Sequence, residues 1–156
     1  MDFARVLGVE DERLEWNLPV NDTARNEAQV ISGEAPYLVI NPCSNVRLRN
    51  FRNWSVEGYA SVIEHAWVQY GLKSVLTGGG SALEREIGDQ IEALCQPGSV
   101  INAIGGTSLK GVLALIDHAQ AVIAPDTGPI HMANAMGTPA LGLYASTNPQ
   151  RAAPYL

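Results

Sequence analysis

Residues 121–144, with the sequence AVIAPDTGPIHMANAMGTPALGLY, contain the pattern that decides the fold. Two apolar runs, 121–124 and 140–144, are predicted to be buried strands, and a short helix that ends near Met136 separates them. The first strand turns into this helix through Asp126, Thr127, Gly128, Pro129 and His131. Turns of this kind, at the carboxyl edge of a parallel sheet, are where α/β proteins bind ligands, because the N–H groups of a helix start favour polar or anionic groups.

The same residues also have a purely structural interpretation. Asp126 is a suitable N-cap, Gly128 a turn residue and Pro129 a first-turn proline. A run of polar and turn residues between two buried strands, followed by a Gly-Thr-Pro turn at residues 137–139, favours a ligand site over capping alone.

The chain from residue 36 onward repeats the alternation of strand and helix. Three more strands are predicted, over residues 37–40, 72–77 and 100–104. Apolar residues at helical spacing predict an amphipathic helix after each of them, and Ser81 with Glu84 fits a capping box at the start of the second. This order predicts an α/β fold, a Rossmann-like parallel sheet with helices on both faces. Residues 145–154 are predicted to form a loop.

Residues 1–34 are predicted to be a polar leader that precedes a domain over residues 35–156. The leader contains 8 acidic and 3 basic side chains, whereas the domain contains 8 acidic and 7 basic ones, so most of the net charge of −6 lies in the leader. A short helix is predicted over residues 24–31, and an extended stretch over residues 16–20. The abrupt end of the chain after a loop predicts a fragment of a longer protein.

The composition argues against several classes of protein. The 46% hydrophobic and 17% charged residues are typical of a globular domain, and no apolar run approaches the roughly 18 residues of a membrane span. The net negative charge argues against a nucleic-acid partner. Cys43 and Cys95 lack the spacing of a metal site and favour a reduced, cytosolic state. The three histidines are too scattered to bind a metal.

The loop after the first strand contains a local positive patch. Arg47, Arg49 and Arg52 fall within six positions, and their planar guanidinium groups suit phosphate oxygens. Ser44 and Asn45 in the same loop offer hydrogen bonds. Because this loop follows a strand of the same sheet, we expect it on the edge that carries the aspartate motif. The alternative is a solvated basic loop that pairs with the acidic leader.

Two further turns carry small polar residues. The first follows the second strand and consists of Thr77, Gly78, Gly79, Gly80 and Ser81. It lets the backbone approach a nucleotide closely, but it is not a dinucleotide fingerprint, because Leu83 stands at the third glycine position. In the second turn, Thr107 and Ser108 are alternative N-caps of the third helix. His131 lies in the first turn of the motif helix, where its side chain can reach the cleft at the sheet edge.

The motif helix and its surroundings resemble glycosyltransferase family 9, the lipopolysaccharide heptosyltransferases. The matching pattern is D-[ST]-G-x-x-H-x-A-x-A-x-G-x-P over residues 126–139, followed by Gly-Leu-Tyr at 142–144 and Thr-x-Pro at 147–149. The resemblance implies a GT-B arrangement of two Rossmann-like halves, of which this chain is the carboxyl-terminal one, the half that holds the donor ADP-heptose. The amino-terminal half, with the lipid A-core acceptor and the general base, is expected to be absent. Residues 1–34 are then the interdomain connection.

The resemblance also implies which residues bind the nucleotide-sugar. Arg52 is expected on the donor diphosphate, residues 107–109 at the adenine edge, and residues 126–128 where sugar and diphosphate meet the helix start. His131 is expected to orient the loop or to reach phosphate, and Cys43 departs from the hydroxyl residue of some relatives. The complete predicted site consists of Ser44, Arg49, Arg52, Thr77, Gly78, Gly79, Thr107, Ser108, Leu109, Asp126, Thr127, Gly128, Pro129 and His131.

The function expected from the resemblance is the donor-binding half of an inverting transferase that adds heptose to the inner core of lipopolysaccharide. No metal or cofactor is expected, because a helix N-terminus and Arg52 stabilise the departing diphosphate electrostatically. The fragment is expected to bind nucleotide, to be catalytically incomplete and to self-associate through its exposed interdomain face. The complete enzyme is expected in the cytoplasm, peripheral to the inner membrane. The alternatives are a sugar-nucleotide epimerase-like enzyme and a non-catalytic nucleotide-binding module.

Overall fold

The computed structural model describes residues 5–8, 15–44, 53–145 and 147–154, and it contains the predicted alternation of strand and helix. The strands are β1 (Tyr37–Ile40), β2 (Lys73–Leu76), β3 (Val100–Asn102), β4 (Ala121–Pro125) and β5 (Ala140–Leu143). The helices are α1 (Asp22–Ser32), α2 (Val56–Tyr70), α3 (Ala82–Leu94), α4 (Leu109–His118), α5 (Gly128–Met136) and α6 (Pro149–Ala152). None of the helices in these segments is both long and apolar enough to cross a membrane.

The strands form one parallel sheet in the order β3-β2-β1-β4-β5. In the central strand β1, Val39 lies opposite Val75 of β2 on one side and Val122 of β4 on the other. The chain runs outward from β1 to β3 and then returns to β4 on the other side, so the strand order reverses between β1 and β4. The predicted Rossmann-like fold is confirmed, and the carboxyl ends of β1 and β4 mark its ligand crevice.

Helices cover both faces of the sheet, as its apolar strands require. All of β1 is buried, and its alternate side chains point to opposite faces. On one face α1, α4 and α5 pack with Tyr37 and Val39, and on the other α2 and α3 pack around Ile40. Helix α1 places Ala24 and Ala28 in the first of these clusters, so this part of the leader packs on the domain.

Local signals in the sequence explain where the helices begin. Three helices are capped by a serine side chain that accepts a hydrogen bond from a backbone N–H of the first turn: Ser55, Ser81 and Ser108. Helix α1 begins at Asp22, two residues before the predicted start, because Asn21 accepts a hydrogen bond from the Ala24 N–H at 3.0 Å. These caps act within one turn, so they need no tertiary structure to form.

Further differences from the prediction concern the end of the chain and the lengths of the strands. The predicted loop over residues 145–154 contains the short helix α6, which was missed. It begins where Asn148 accepts a hydrogen bond from the Gln150 N–H, and Pro149 fits its first turn. Strands β2, β3 and β5 are also one or two residues shorter than predicted, since their paired residues end at Leu76 with Asn102 and at Pro125 with Leu143.

Candidate functional site

A cavity of about 490 Å³ opens at the carboxyl edge of the sheet, where the strand order reverses. Its walls come from the residues after β1, the turn before α3, the start of α4 and the turn from β4 into α5. It is lined by Asn41, Cys43, Gly78, Gly79, Glu84, Thr107, Leu109, Val112, Asp126, Thr127, Gly128, Pro129 and Met132. Eight of these are predicted site residues, so the fold brings together side chains and turns that are far apart in the sequence.

The turn from β4 into α5 leaves the start of α5 open. Thr127 occupies the N-cap position, but its hydroxyl donates to the Pro125 carbonyl oxygen at 3.1 Å and makes no cap to the helix. Gly128 follows, and a Cβ placed on it has no atom of the described residues within 4 Å. The first turn of α5 therefore receives no acceptor from its N-cap side chain. Pro129 has no N–H and the Ile130 N–H donates to the Thr127 carbonyl oxygen at 3.2 Å, so the helix dipole and the remaining N–H groups of this turn are what suits an anion.

The start of α3, in contrast, is closed by a carboxylate of the same helix. Ser81 and Glu84 form the predicted capping box, and the Glu84 carboxylate accepts from the N–H groups of Gly79 and Ser81, both at 2.9 Å. Burial by itself raises the pKa of Glu84, but its hydrogen bonds outweigh burial and lower the pKa, so the carboxylate is charged at neutral pH. The glycine turn thus lines the cavity with two of its N–H groups already bonded.

The start of α4 is closed by a carboxylate from another helix. Ser108 is the N-cap, because its hydroxyl accepts from the Gly111 N–H at 2.9 Å. Glu27 of α1 accepts from the Ser108 N–H and from the Ser108 hydroxyl, both at 2.7 Å. These two hydrogen bonds lower the pKa of Glu27, the one from the hydroxyl most. Ser108 is thus engaged in capping, and its neighbours Thr107 and Leu109 line the cavity.

Buried polar atoms without a hydrogen-bond partner lie at the cavity. Asn41 is 7% exposed; its Nδ2 donates to the Thr77 carbonyl oxygen at 2.9 Å, and its Oδ1 has no partner among the described residues. The hydroxyl oxygen of Thr107 is unpaired in the same way. Thr77, a predicted site residue, is fully buried and is not among the described lining residues of the cavity; its hydroxyl also has no partner among the described residues. Each unpaired buried polar atom costs about 1–3 kcal/mol, so this edge of the sheet favours a polar ligand.

Other parts of the cavity wall are uncharged. Leu109, Val112 and Met132 give it apolar surface from α4 and α5. Cys43 is buried in the wall that follows β1. Burial, together with the negative charge of Glu84, raises the pKa of the Cys43 thiol to about 11. The thiol is therefore neutral at physiological pH and adds no negative charge to the cavity.

The arginine-rich loop is closed at its base by Ser44. This side chain is buried, and its N–H and hydroxyl donate to the Asn53 side-chain oxygen at 2.8 and 3.1 Å. Ser44 therefore holds the two ends of the loop together and is not among the described lining residues of the cavity. Arg49 and Arg52 lie between those ends, outside the described residues.

His131 lies at a different cavity from the expected one. It lines an adjacent apolar cavity of about 390 Å³, together with Trp16 and Leu18 of the leader. The two cavities share Gly128 and Met132, and His131 stands three positions after Gly128, on the same side of α5. His131 is not among the described lining residues of the 490 Å³ cavity, and its expected contact with that cleft stays a prediction.

The cavity also contains residues that were not predicted as site residues: Asn41, Cys43, Glu84, Val112 and Met132. Val112 and Met132 stand three positions after Leu109 and Pro129, and a helical repeat places each pair on one face, so a signal for them was present. Asn41 directly follows β1, which is also a signal. The sequence predicted Glu84 only as part of a capping box. No pattern in the sequence indicated that Glu84 also lines the cavity.

The turns before α3 and α4 lie in direct backbone contact. Gly80 has a φ of 82°, and a Cβ on it would lie 2.6 Å from the Cα of Gly105. The Arg85 guanidinium donates to the carbonyl oxygens of Gly80 and Ile104, at 3.0 and 3.3 Å. Arg85 therefore ties together two turns that lead into the cavity wall.

A family model described as glycosyltransferase family 9 (heptosyltransferase) matches residues 1–156. The chain belongs to glycosyltransferase family 9. The lipopolysaccharide core heptosyltransferase OpsX of Haemophilus influenzae is 37% identical to this family 9 chain over 156 residues, which cover 99% of the chain and 44% of that relative.

Solved structures of family 9 proteins have the same fold. The family 9 glycosyl transferase of Veillonella parvula superposes with a TM-score of 0.81 at 24% identity, over 99% of this chain and 45% of that one. The ADP-heptose lipopolysaccharide heptosyltransferase II of Escherichia coli superposes with a TM-score of 0.73 at 25% identity, over 91% of this chain and 44% of that one. This family 9 chain therefore spans less than half the length of these relatives.

Proposed function

We propose that this chain is the half of a family 9 glycosyltransferase that binds the nucleotide-sugar donor ADP-heptose. The whole enzyme, acting in the cytoplasm at the inner membrane, transfers heptose to the inner core of lipopolysaccharide. The observation that carries the proposal is the open start of α5 at the point where the strand order reverses, facing a cavity of about 490 Å³. The name of the similar Escherichia coli heptosyltransferase supports the choice of donor.

The diphosphate of the donor is assigned to the start of α5. Backbone N–H groups and the positive end of the helix dipole attract an anion there, and Gly128 has no side chain to block its approach. Asp126 and Glu84 bring two carboxylates to the same cavity, and these repel a dianionic ligand. A cationic partner is therefore needed, and Arg49 and Arg52, which follow β1 in the sequence, are its proposed source.

The nucleoside and the sugar are assigned to the remaining walls. Leu109 and Val112 offer apolar surface to the adenine ring. The Glu84 carboxylate already accepts from the Gly79 N–H, the Ser81 N–H and the Ser81 hydroxyl, so one lone pair, on the oxygen bonded to Gly79, is left to accept from a ribose hydroxyl. Asp126 is assigned to the hydroxyl groups of the heptose, which lies next to the diphosphate, and Asn41 offers its unpaired Oδ1 as a further acceptor.

The proposed reaction breaks the bond between the anomeric carbon and the diphosphate, and forms a bond from an acceptor oxygen to the same carbon. Negative charge grows on the departing ADP, so the α5 N–H groups and Arg52 stabilise the transition state more than the ground state. The acceptor proton passes to a base on the opposite face of the sugar, as inversion requires. We assign that base to the amino-terminal half of the enzyme, and we assign residues 1–34 to the connection between the two halves. The present chain then binds the donor but does not turn it over.

Calorimetric titration with ADP and with ADP-heptose tests this proposal. We expect both ligands to bind the wild-type chain. Gly128→Ala adds a methyl group into open space, so folding is preserved, but the methyl lies where the diphosphate approaches. We expect its ADP affinity to fall by about 10-fold, which corresponds to about 1.4 kcal/mol.

Gly106→Ala is the matched control for this substitution. Its Cβ makes an ordinary 3.5 Å contact with the Ala103 carbonyl oxygen, and Gly106 is not among the described lining residues. Its ADP affinity should equal that of the wild type. Equal affinities for Gly128→Ala and Gly106→Ala would contradict the assignment of the diphosphate, and an unchanged affinity of Arg52→Ala would remove Arg52 from the site. Failure of the wild type to bind either ligand would contradict the proposed function.

A further inference from the structure

The Glu27 side chain of α1 bonds to the turn that carries two of the residues lining the cavity. Its carboxylate accepts two hydrogen bonds of 2.7 Å from Ser108, one from the backbone N–H and one from the hydroxyl. Ser108 stands between Thr107 and Leu109, both of which line the cavity. Glu27 therefore holds, from outside the cavity, the backbone that presents two of its lining residues.

This contact has the chemistry of a capping box assembled from two helices. In α3 the box is local, because Glu84 is the third residue after its partner Ser81. In α4 the equivalent third position is Gly111, which has no side chain, and Glu27 supplies the carboxylate from 81 positions away. Gly111 also makes the contact fit, since a Cβ on it would lie 2.5 Å from the carboxyl carbon of Glu27.

The rest of α1 holds Glu27 against α4. Ala24 and Ala28 are buried in the cluster that α1 shares with α4, and their small side chains allow the two helices to approach closely. The Arg25 guanidinium pairs with Asp117 near the end of α4, at 3.2 Å. Helix α1 thus contacts both ends of α4, so a displacement of α1 acts on the start of α4 and on the wall that it forms.

We propose that Glu27 is a positioning residue for donor binding, which couples the position of α1 to the wall of the nucleotide cavity. The inference rests on the proposed function and extends it to a helix of the leader. Linkage makes the coupling reciprocal. If the packing of α1 on α4 favours ADP binding, bound ADP favours that packing by the same free energy. The segment proposed to connect the two halves of the enzyme therefore responds to the donor.

Calorimetry with ADP on the full 156-residue chain measures the first half of this linkage. Glu27→Gln removes the charge and keeps the size of the side chain, and we expect the dissociation constant of ADP to rise about 5-fold. Glu86→Gln is the matched control, since Glu86 accepts an exposed hydrogen bond from Gln90 and is not among the described lining residues. Its ADP affinity should not change.

Gly111→Ala tests the same contact from the side of α4. The added methyl displaces the Glu27 carboxylate, so we expect a loss of ADP affinity like that of Glu27→Gln. Combining the two substitutions should bring little further loss, because both remove one contact. Losses that add in the double variant would overturn the proposal, since the two substitutions would then act independently.

Amide hydrogen exchange distinguishes coupling to ADP from a purely structural role of Glu27, because a structural role alone would not make the exchange of α1 depend on ADP. We expect ADP to slow amide exchange in α1, although none of the described lining residues belongs to α1. Glu27→Gln should lose this protection and keep that of α5, and Glu27→Asp, which keeps the charge, should retain part of it. No ADP binding by the wild type would overturn the proposed function. ADP binding as tight in Glu27→Gln as in the wild type would overturn only the role of Glu27.

Discussion

Three helices begin around one cavity, and they differ in what bonds to their first turns. Helices α3 and α4 each receive a glutamate, Glu84 from the same helix and Glu27 from α1. At α5 the hydroxyl of Thr127 turns to the Pro125 carbonyl oxygen and gives no cap. The helix dipole puts partial positive charge at all three starts, although Pro129 leaves α5 with one N–H fewer, so the difference in capping indicates where a ligand can bind.

The turns before α3 and α5 also show that a glycine-rich turn need not leave its N–H groups available to an anion. The turn before α3 contains three consecutive glycines, which let the backbone approach a nucleotide closely. Its Gly79 and Ser81 N–H groups nevertheless bond to Glu84. The turn before α5 has a single glycine, Gly128, and no carboxylate at the third helical position. A carboxylate at that position can occupy the N–H groups that a phosphate would need.

Adding a carboxylate cap to the start of α5, like those at α3 and α4, is expected to have the largest effect on ADP affinity. Thr127 has an extended backbone, with φ −148° and ψ 168°, which suits a capping side chain. We expect Thr127→Asp to stabilise the protein by about 0.5–2 kcal/mol through the new cap. It should weaken ADP binding by more than about 10-fold, because the added charge repels the diphosphate. Calorimetry measures the affinity, and thermal denaturation the stability.

Thr127→Asn separates the cap from the charge. Asparagine caps helices about as well as aspartate but is neutral, so this variant should gain stability and lose less affinity. If Thr127→Asp bound ADP as tightly as the wild type, the start of α5 would not be the diphosphate site. If both variants lost affinity equally, the cap and not the charge would be the cause.

The second prediction concerns the contact between the turns before α3 and α4. Gly80→Ala places a side chain at a φ of 82° and 2.6 Å from the Cα of Gly105, so the two turns must separate. We expect the free energy of unfolding to fall by about 1–3 kcal/mol. Urea denaturation measures it, and ADP affinity should fall as well because Gly79 and Thr107 line the cavity from these turns.

Gly98→Ala is the control, because it adds a side chain at a positive φ without a steric contact. Gly98 has a φ of 89°, but a Cβ on it meets no atom within 4 Å. We expect a loss of about 1 kcal/mol and no change in ADP affinity. Equal losses of stability for Gly80→Ala and Gly98→Ala would show that the contact between the turns contributes nothing.

The strands and most helices could be predicted because their signals are local. The apolar run at Tyr37 and the capping box of Ser81 and Glu84 each act within a few residues, and the structure contains both. The order of strands and helices then leaves few topologies. Helix α6 was missed because Asn148 and Pro149 occur in a segment with no apolar periodicity.

The site residues could be predicted only where the sequence of a single turn indicated a ligand site. Asp126, Thr127 and Gly128 stand in a turn between a strand and a helix, and the cavity contains them. His131 has the same local signal and lines the adjacent cavity, which shares Gly128 with the first. The contact of Glu27 with Ser108 joins residues 81 positions apart, and no pattern within one segment marks it.

The smallest expected effect concerns the pH dependence of stability. The pKa of Glu27 is lowered in the folded protein, first by the Ser108 hydroxyl and then by the Ser108 N–H. The folded state therefore binds this proton less readily than the unfolded state does. The contribution of the contact is present in full above the unfolded pKa and is lost as the pH falls through the lower, folded pKa. Glu27→Gln has no such contribution to lose.

We expect the wild type to exceed Glu27→Gln in free energy of unfolding by less than about 1 kcal/mol at neutral pH, because water screens this exposed pair. The difference should shrink as the pH falls below the ordinary value of 4.5. Glu84→Gln should show a smaller difference, because a contact within one helical turn persists in part in the unfolded chain, whereas a contact across 81 positions does not. Urea denaturation at a series of pH values measures both. A Glu27 difference that stays constant down to about pH 3 would mean that packing, and not the charged cap of α4, is what Glu27 contributes.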